Sequence, residues 1–246
     1  MSDITILVPV YDPTGSEKER LQRLVNSIVT QTSIPQRVIL AANHKLDHFN
    51  SLTEKLQGVT TVDFQLNSST GAAANLNQMI VGVTTDFTKI MFQDDFFTNT
   101  NSLSKIVDTL EKSKKSWVVS GCIHVYENEP TRSRTITPKF SRRLIKGINT
   151  IGAPSVVALK TENLEPFNEE MVYMFDCEWY LRMKHKFGSP AIVEEPLISI
   201  GIHSNQATHW AKNALSEEKS ICRELHNVSF FTGKCSSCIS ESRSHD

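Results

Sequence analysis

The sequence predicts an α/β fold in which a mostly parallel, Rossmann-like sheet is flanked by helices. Three observations predict it. Residues 4–10, ITILVPV, form a continuous apolar, β-rich run of the kind buried on both faces of a parallel sheet. A strand, a helix and a second strand then follow one another within residues 4–42, the order of a βαβ unit, which closes right-handed in nearly all cases. A third run, residues 87–92, ends in two adjacent carboxylates, Asp94 and Asp95. In open α/β sheets ligands bind beyond the carboxyl ends of such strands, where paired acids can hold a cation against a polyphosphate. A surface turn with a solvated acidic dipeptide is the alternative, and Phe92, Phe96 and Phe97 weigh against it by sinking the backbone on both sides.

The elements follow in order. Ser16 and Glu19 form a capping box, and Leu21, Leu24, Val25, Ile28 and Val29 share one face of a helix that runs to about Gln31. Pro35 breaks the chain before a second strand, residues 37–42, ending at Asn43-His44. Residues 62–66 make a short third strand. Gly71 opens AAANLNQMIVGV, a helix whose small residues allow close packing on the sheet or approach to a phosphate. After the central strand, Asn101 or Ser102 caps a helix through Ile106, Val107 and Leu110, and residues 117–126 give another strand.

From residue 130 to 160 the composition turns basic, with Arg132, Arg134, Lys139, Arg142, Arg143, Lys146 and Lys160 and no acid. Such a run is a solvated loop or a flap over an anionic ligand. Residues 151–159 read as a strand and 175–187, FDCEWYLRMKHKF, as a helix with Asp176 in its first turn, where the helix dipole favours a carboxylate. Residues 191–202 hold one or two strands broken at Pro196 and lead to His203; residues 211–228 form a last helix before a polar tail.

A chain of 246 residues has room for one large domain with a short appendage, and the expected division is residues 1–210 and 211–246. Hydrophobic content of 39% and charged content of 22% are those of a soluble globular protein. A formal net charge of -1 gives no reason to expect nucleic acid or an anionic membrane as partner. No apolar run approaches the ~20 residues of a membrane helix. The start, MSDITILVPVYD, lacks the features of a secretion signal, so a cytoplasmic protein is expected. Five cysteines, an odd number, then read as reduced thiols.

Taken together, ILVPVYD at the first strand, NSIVTQT with Pro35, TGAAANLN before the central strand, QDD at its end, FDCEWYLR and His203 resemble a family 2 glycosyltransferase of the GT-A fold over about residues 4–210. The order of these pieces is more specific than any one of them. Such enzymes move a sugar from a nucleotide diphosphate sugar to an acceptor hydroxyl. The resemblance implies an inverting, metal-dependent hexosyltransferase with a UDP-sugar donor. Asp95 would be the direct ligand of Mn²⁺ or Mg²⁺, Asp94 would reach the ribose or the metal through water, and His203 would offer a further metal or phosphate contact. Asp176 matches the family's base, the carboxylate that takes the acceptor's proton. Glu178 lies about 200° around the helix from it, so both cannot serve one carbon. Glu178, Trp179 and Arg182 are candidates for acceptor or orienting contacts; Arg182 could orient Asp176 or pair with Glu178.

Tyr11 is placed to stack on the base, with the backbone of Pro9, Val10, Tyr11 and Asp12 reading its edge. The acid usual after the second strand is replaced by Ala42-Asn43, with Asp47 nearby, which leaves the uracil preference open. Asn75 stands where a basic residue often follows the Gly-rich turn. In the tail, Cys222, His226, Cys235 and Cys238 have the residue types and a Cys-x-x-Cys knuckle that suit a structural Zn²⁺, against which stands the polarity of the segment. Two other readings stay open: a sugar nucleotidyltransferase, and a non-catalytic nucleotide-sugar binding module. The acceptor, the sugar and the oligomeric state are not encoded in any motif.

Overall fold

β1 (Ser2–Val10) is the strand on which the sheet is laid, and Ile4, Ile6, Leu7, Val8 and Val10 along it are completely buried. In the computed structural model, residues 2–11, 17–43, 49–67, 71–129, 131–206 and 211–226 are described. β1 is followed by α1 (Lys18–Val29), β2 (Pro35–Ala42), α2 (Phe49–Gln57), β3 (Thr61–Leu66), α3 (Ala72–Ile80), β4 (Phe87–Ile90), β5 (Phe96–Phe97) and α4 (Ser102–Lys112). The second half contains β6 (Trp117–Tyr126), β7 (Ser133–Ile136), β8 (Val157–Lys160), α5 (Phe175–Phe187), β9 (Ala191–Ile202) and α6 (Leu215–Leu225). No helix among the described residues is long and apolar enough to cross a membrane.

These strands form one sheet in the order β3-β2-β1-β4-β8-β6-β9-β5, with β7 beside β6. The expected parallel order holds from β3 to β4 and again between β6 and β9. β8 enters antiparallel between β4 and β6. Register places the site: Val10 pairs with Ala42 and Leu7 with Ile90, so Tyr11, Asn43 and the segment after Ile90 emerge at one edge.

Helices cover the sheet with the stripes their sequences carry. Leu21, Leu24, Val25 and Ile28 of α1, and Leu103, Ile106, Val107 and Leu110 of α4, are buried. Each such side chain contributes about 1.5–3 kcal/mol on burial. α3 starts at Gly71, whose φ of 106° lies in the region only glycine adopts without strain, and lays Ala73, Ala74, Leu76 and Met79 inward.

Several details differ from the sequence reading. Ser16 of the expected capping box lies outside the described residues, and α1 begins after Glu17. The strand expected over residues 151–159 is only its last part: Pro154–Val156 make a 3-10 turn, because Pro at the first position cannot donate to a ladder, and β8 follows. β9 is a single strand whose irregular register against β6, at Gly121 and Pro196, absorbs the proline as a bulge. The last helix is shorter than expected and ends at Leu225. The basic segment is anchored near its start by β7 on β6 and midway by a 3-10 turn, Arg142–Lys146, that buries Leu144.

Candidate active site

The chain leaves β4 at Ile90, and Met91 adds one more backbone bond to Leu7 at 2.9 Å before the sheet opens. Gln93 then turns back onto β1: its Oε1 accepts from the Tyr11 N–H at 2.6 Å and its Nε2 donates to the Tyr11 carbonyl at 2.8 Å. This clamp fixes Tyr11, 58% exposed, beside the two acids. Gln93 was missed by sequence reasoning, where it stands only within the QDD piece and has no role of its own.

Asp94 and Asp95 point differently. Asp94 lies 3.1 Å from His203 Nε2 through Oδ2, and its carbonyl accepts from Arg23 Nη2 at 2.9 Å. Asp95 is buried, accepts from the Gly201 N–H at 3.1 Å and takes a hydrogen bond from the Ser155 hydroxyl. Burial, then the charge of Asp94, pushes the Asp95 carboxyl well above the usual carboxylate range, against the pull of Ser155, Gly201 and Lys89. Lys89 is itself fully buried, donating to the carbonyls of Ile90 at 2.7 Å, Val157 at 3.3 Å and Ser155. Burial lowers its ammonium to about 7, opposed by Asp95. Gly201 is obligatory here, since a Cβ on it would lie 2.5 Å from the Asp94 carbonyl oxygen.

Asp176 stands one residue inside α5, partly buried. Its Oδ2 accepts from Asn149 Nδ2 at 2.7 Å and its Oδ1 from the Cys177 N–H at 2.6 Å. Burial raises its carboxyl to about 6, while those two hydrogen bonds pull the other way. Asn149 is held in turn, since its Oδ1 accepts from Ile151 and Gly152, both at 2.9 Å, and its Nδ2 also reaches the Gly152 carbonyl at 2.8 Å. Tyr180, one turn beyond Asp176, donates to that same carbonyl at 2.9 Å. One loop therefore carries Asn149 at one end, against Asp176, and Ser155 at the other, against Asp95. Phe92 and Phe175 close the gap between the two acids' segments with ring centroids 6.5 Å apart. Asn149 was also missed from the sequence; an Asn two residues before Ile-Gly is a turn signal and nothing more.

The remaining helix candidates face elsewhere. Glu178 is buried and bound by Arg182 at 3.0 and 2.9 Å, with His226 Nε2 at 3.5 Å. Burial alone would raise its carboxyl, but His226 and Arg182 outweigh that and hold it below the usual range. Of the two roles open to Arg182, the structure shows the ion pair with Glu178. Trp179 needs correction as an acceptor contact: it is completely buried, stacks on Phe167 with centroids 4.9 Å apart, and donates to the Glu165 carbonyl at 2.9 Å. Position 179 lies only about 60° around the helix from 176, so it is packing against Phe167 and Trp117, not periodicity, that takes the indole into the core.

At the end of β1, Pro9 and Val10 are buried within the strand, so only their backbone can face a ligand. Asp12 and Asp47 lie outside the described residues. Asn43, after β2, exchanges amide bonds with Asn75 of α3 at 3.0 and 3.4 Å, and the buried Asn67 donates to Asn75 at 3.0 Å. Asn75 thus uses both acceptor lone pairs and one of its two donor hydrogens in holding the ends of β2 and β3 together, while among bonds to the described residues Asn43 uses one donor hydrogen and one acceptor lone pair. Cys222 is completely buried and His226 sits beside Glu178; Cys235 and Cys238 lie outside the described residues.

Asp94, Asp95 and His203 carry donor atoms of the types a hard cation takes. Two neighbouring carboxylates repel each other, and the His203 Nδ1 is buried with no hydrogen-bond partner among the described residues. Oxygen, oxygen and imidazole nitrogen are donors that Mn²⁺ and Mg²⁺ accept. Among the described residues no group of three His, Cys, Asp or Glu side chains converges as a complete cage. A cation that takes most of its ligands from substrate phosphates and water needs no such cage, so the residues fit a site completed by a diphosphate.

A helix-flanked, mostly parallel sheet with Asp94 and Asp95 past β4 and Asp176 in the first turn of α5 defines an α/β protein of the GT-A kind. The chain belongs to glycosyl transferase family 2, whose model matches residues 5–187. No curated protein matches it. Its fold is that of GT-A glycosyltransferases among solved structures. S. aureus TarS 1-349 in complex with UDP-GlcNAc superposes with a TM-score of 0.69 at 12% identity, covering 90% of this chain and 66% of that one. The mannosyltransferase PcManGT from Pyrobaculum calidifontis, in complex with GDP-Man and Mn²⁺, gives 0.58 at 16% identity over 85% and 59%. Glucosyl-3-phosphoglycerate synthase from Mycobacterium tuberculosis, with Mn²⁺, UDP and glucosyl-3-phosphoglycerate, gives 0.58 at 14% over 89% and 77%. The chain thus spans about two thirds of the TarS fragment.

Proposed function

We propose that this protein is an inverting glycosyltransferase that moves a hexose from a UDP-sugar to an acceptor hydroxyl in a single displacement. The observation that carries the reading is the loop that binds Asp176 through Asn149 and Asp95 through Ser155, which puts a base and a diphosphate-side acid on one short, hydrogen-bonded scaffold. Asp176 takes the acceptor's proton. Raised to about 6, its carboxyl is a stronger base than a solvated aspartate and is still ionised at neutral pH. Asn149 and the Cys177 N–H each use one lone pair of the two oxygens and fix where the remaining ones aim.

Tyr11, pinned by Gln93, offers a ring face to the nucleobase, and Asn43 offers a donor and an acceptor to the base edge. Asp94, Asp95 and His203 would hold Mn²⁺ or Mg²⁺ against the diphosphate. A divalent cation there supplies charge stabilisation to the departing diphosphate. Structural neighbours bound to UDP-GlcNAc, UDP or GDP-Man support a nucleotide-sugar donor without choosing the base.

The test is a thermal-shift series with UDP, GDP, CDP and ADP, each with and without Mn²⁺, followed by hydrolysis of the matching sugar nucleotide. Stabilisation by UDP that requires Mn²⁺ is expected. Equal stabilisation by all four nucleotides, with or without metal, would refute the reading.

A further inference from the structure

α6 lies beyond the residues matched by the family model, yet it packs against the start of the helix that carries the base. Glu218, completely enclosed, aims its carboxylate at three consecutive backbone amides. Oε1 accepts from Val172 at 2.7 Å and Tyr173 at 3.1 Å, and Oε2 accepts from Tyr173 at 3.1 Å and Met174 at 2.6 Å. Those amides lead directly into α5, whose N-cap Met174 has no side-chain cap of its own. An external carboxylate therefore does what a capping residue ordinarily does, satisfying buried donors and placing negative charge at the positive end of the helix. Asp176 follows two residues later.

Glu218 is the first residue of a stripe. Cys222 is one turn on and buried, and His226 is another turn on and 3.5 Å from Glu178. Spacings of four put these three on one face, and that face follows α5 through its first turn. The shared face of Cys222 and His226 is thus spent on α5.

We propose that Glu218 is a positioning residue for the transfer reaction: by gathering the amides of Val172, Tyr173 and Met174 it fixes where α5 begins and holds the Asp176 carboxylate against Asn149. The inference rests on the reading of Asp176 as the base. A carboxylate is required because three N–H groups converge on it. Gln at 218 brings one acceptor oxygen and an NH₂ that must face a backbone N–H, so at least one amide loses its partner.

The experiment is a carbon-detected NMR titration of the Asp176 side-chain carboxyl in the full chain, assigned by its absence in D176N and compared among wild type, E218Q and E218D. The titratable side chains against Asp176 are Cys177 and Tyr180, whose pKa values burial raises, so neither ionises in the acid range followed. E218Q is expected to lower the Asp176 midpoint by about one unit: the loosened helix start lets water reach a carboxyl raised first of all by burial, and this outweighs the weakened pull of Asn149; a raised midpoint overturns the proposal as an unchanged one does. E218D, with its carboxylate drawn back by one methylene, is expected to fall between the two, and it carries the comparison if E218Q does not fold. An unchanged midpoint in folded E218Q or E218D overturns the proposal.

The second arm is turnover of UDP-glucose, UDP-N-acetylglucosamine and GDP-mannose with Mn²⁺. There kcat is expected to drop about 10- to 100-fold in E218Q with the donor KM unchanged, and its acid limb to move down with the midpoint. Transfer with an unmoved midpoint sinks the role of Glu218 and leaves the transfer reading standing. A moved midpoint in a wild type that turns over none of the three donors supports the brace and counts against transfer.

Discussion

Replacing Asp176 by Asn should stabilise the protein while abolishing its chemistry. The carboxyl stands at about 6 in the fold against 3.8 in an unfolded chain, because burial disfavours the charged form. Between those values the native state binds more protons than the unfolded state, so this group's contribution to stability falls as pH rises from about 4 to 6 and stays low above. The shift of roughly two units corresponds to about 3 kcal/mol as a ceiling. Asp176 is only partly buried, and the Asn side chain gives up a charge-assisted bond from Cys177, so about 1 kcal/mol is the expected net gain. In a domain of this size that is about 2–4 °C in Tm. Paired melting curves of wild type and D176N at pH 4 and 7.5 measure it: the variant should melt higher at pH 7.5, and the difference should vanish or reverse at pH 4. Transfer should fall about 10²- to 10⁴-fold. A variant that melts lower at pH 7.5, or one that keeps its rate, would refute the account of Asp176 as a base whose carboxyl desolvation has raised.

The other outcomes probe the shell around it. N149A removes a hydrogen bond that lowers the Asp176 carboxyl, so the acid limb of the pH–rate profile should move up, opposite in sign to E218Q. G201A drives a methyl to within 2.5 Å of the Asp94 carbonyl, and should weaken Mn²⁺-dependent nucleotide stabilisation in a thermal-shift assay while costing about 1–3 kcal/mol in denaturant unfolding. W179A should cost about 3–5 kcal/mol in the same unfolding experiment, because the indole fills the aromatic core; a folded W179A whose only defect is a raised acceptor KM would contradict that placement.

The part of the fold legible in the sequence is the part whose reasons are local. β1 and the stripes of α1 and α4 announce themselves because burial on a sheet imposes a period, and the acids at 94, 95 and 176 stand at element ends where the chain must turn. β8 was not legible as an antiparallel insert, since a short apolar run carries no direction, and its leading Pro154 was read inside a strand when it begins a 3-10 turn. Trp179 was a candidate for an acceptor or orienting contact because it lies near Asp176 in the sequence. The helix period, which separates Asp176 from Glu178, leaves Asp176 and Trp179 about 60° apart; only the packed aromatic core shows where the indole goes.

What stayed hidden in the site is of one physical kind. Gln93, Asn149, Ser155 and Glu218 each reach a partner far along the chain, and all four also address backbone groups, which carry no sequence signature at all. An acid that binds metal or a base that takes a proton must be of a particular type, so its identity shows. A side chain that seats such an acid need only own a donor or an acceptor at the right point in space, and many residue types do. The Glu218 stripe marks the limit of what pattern can give: a spacing of four puts Cys222 and His226 on one face, and only the packed α5 shows what that face is for.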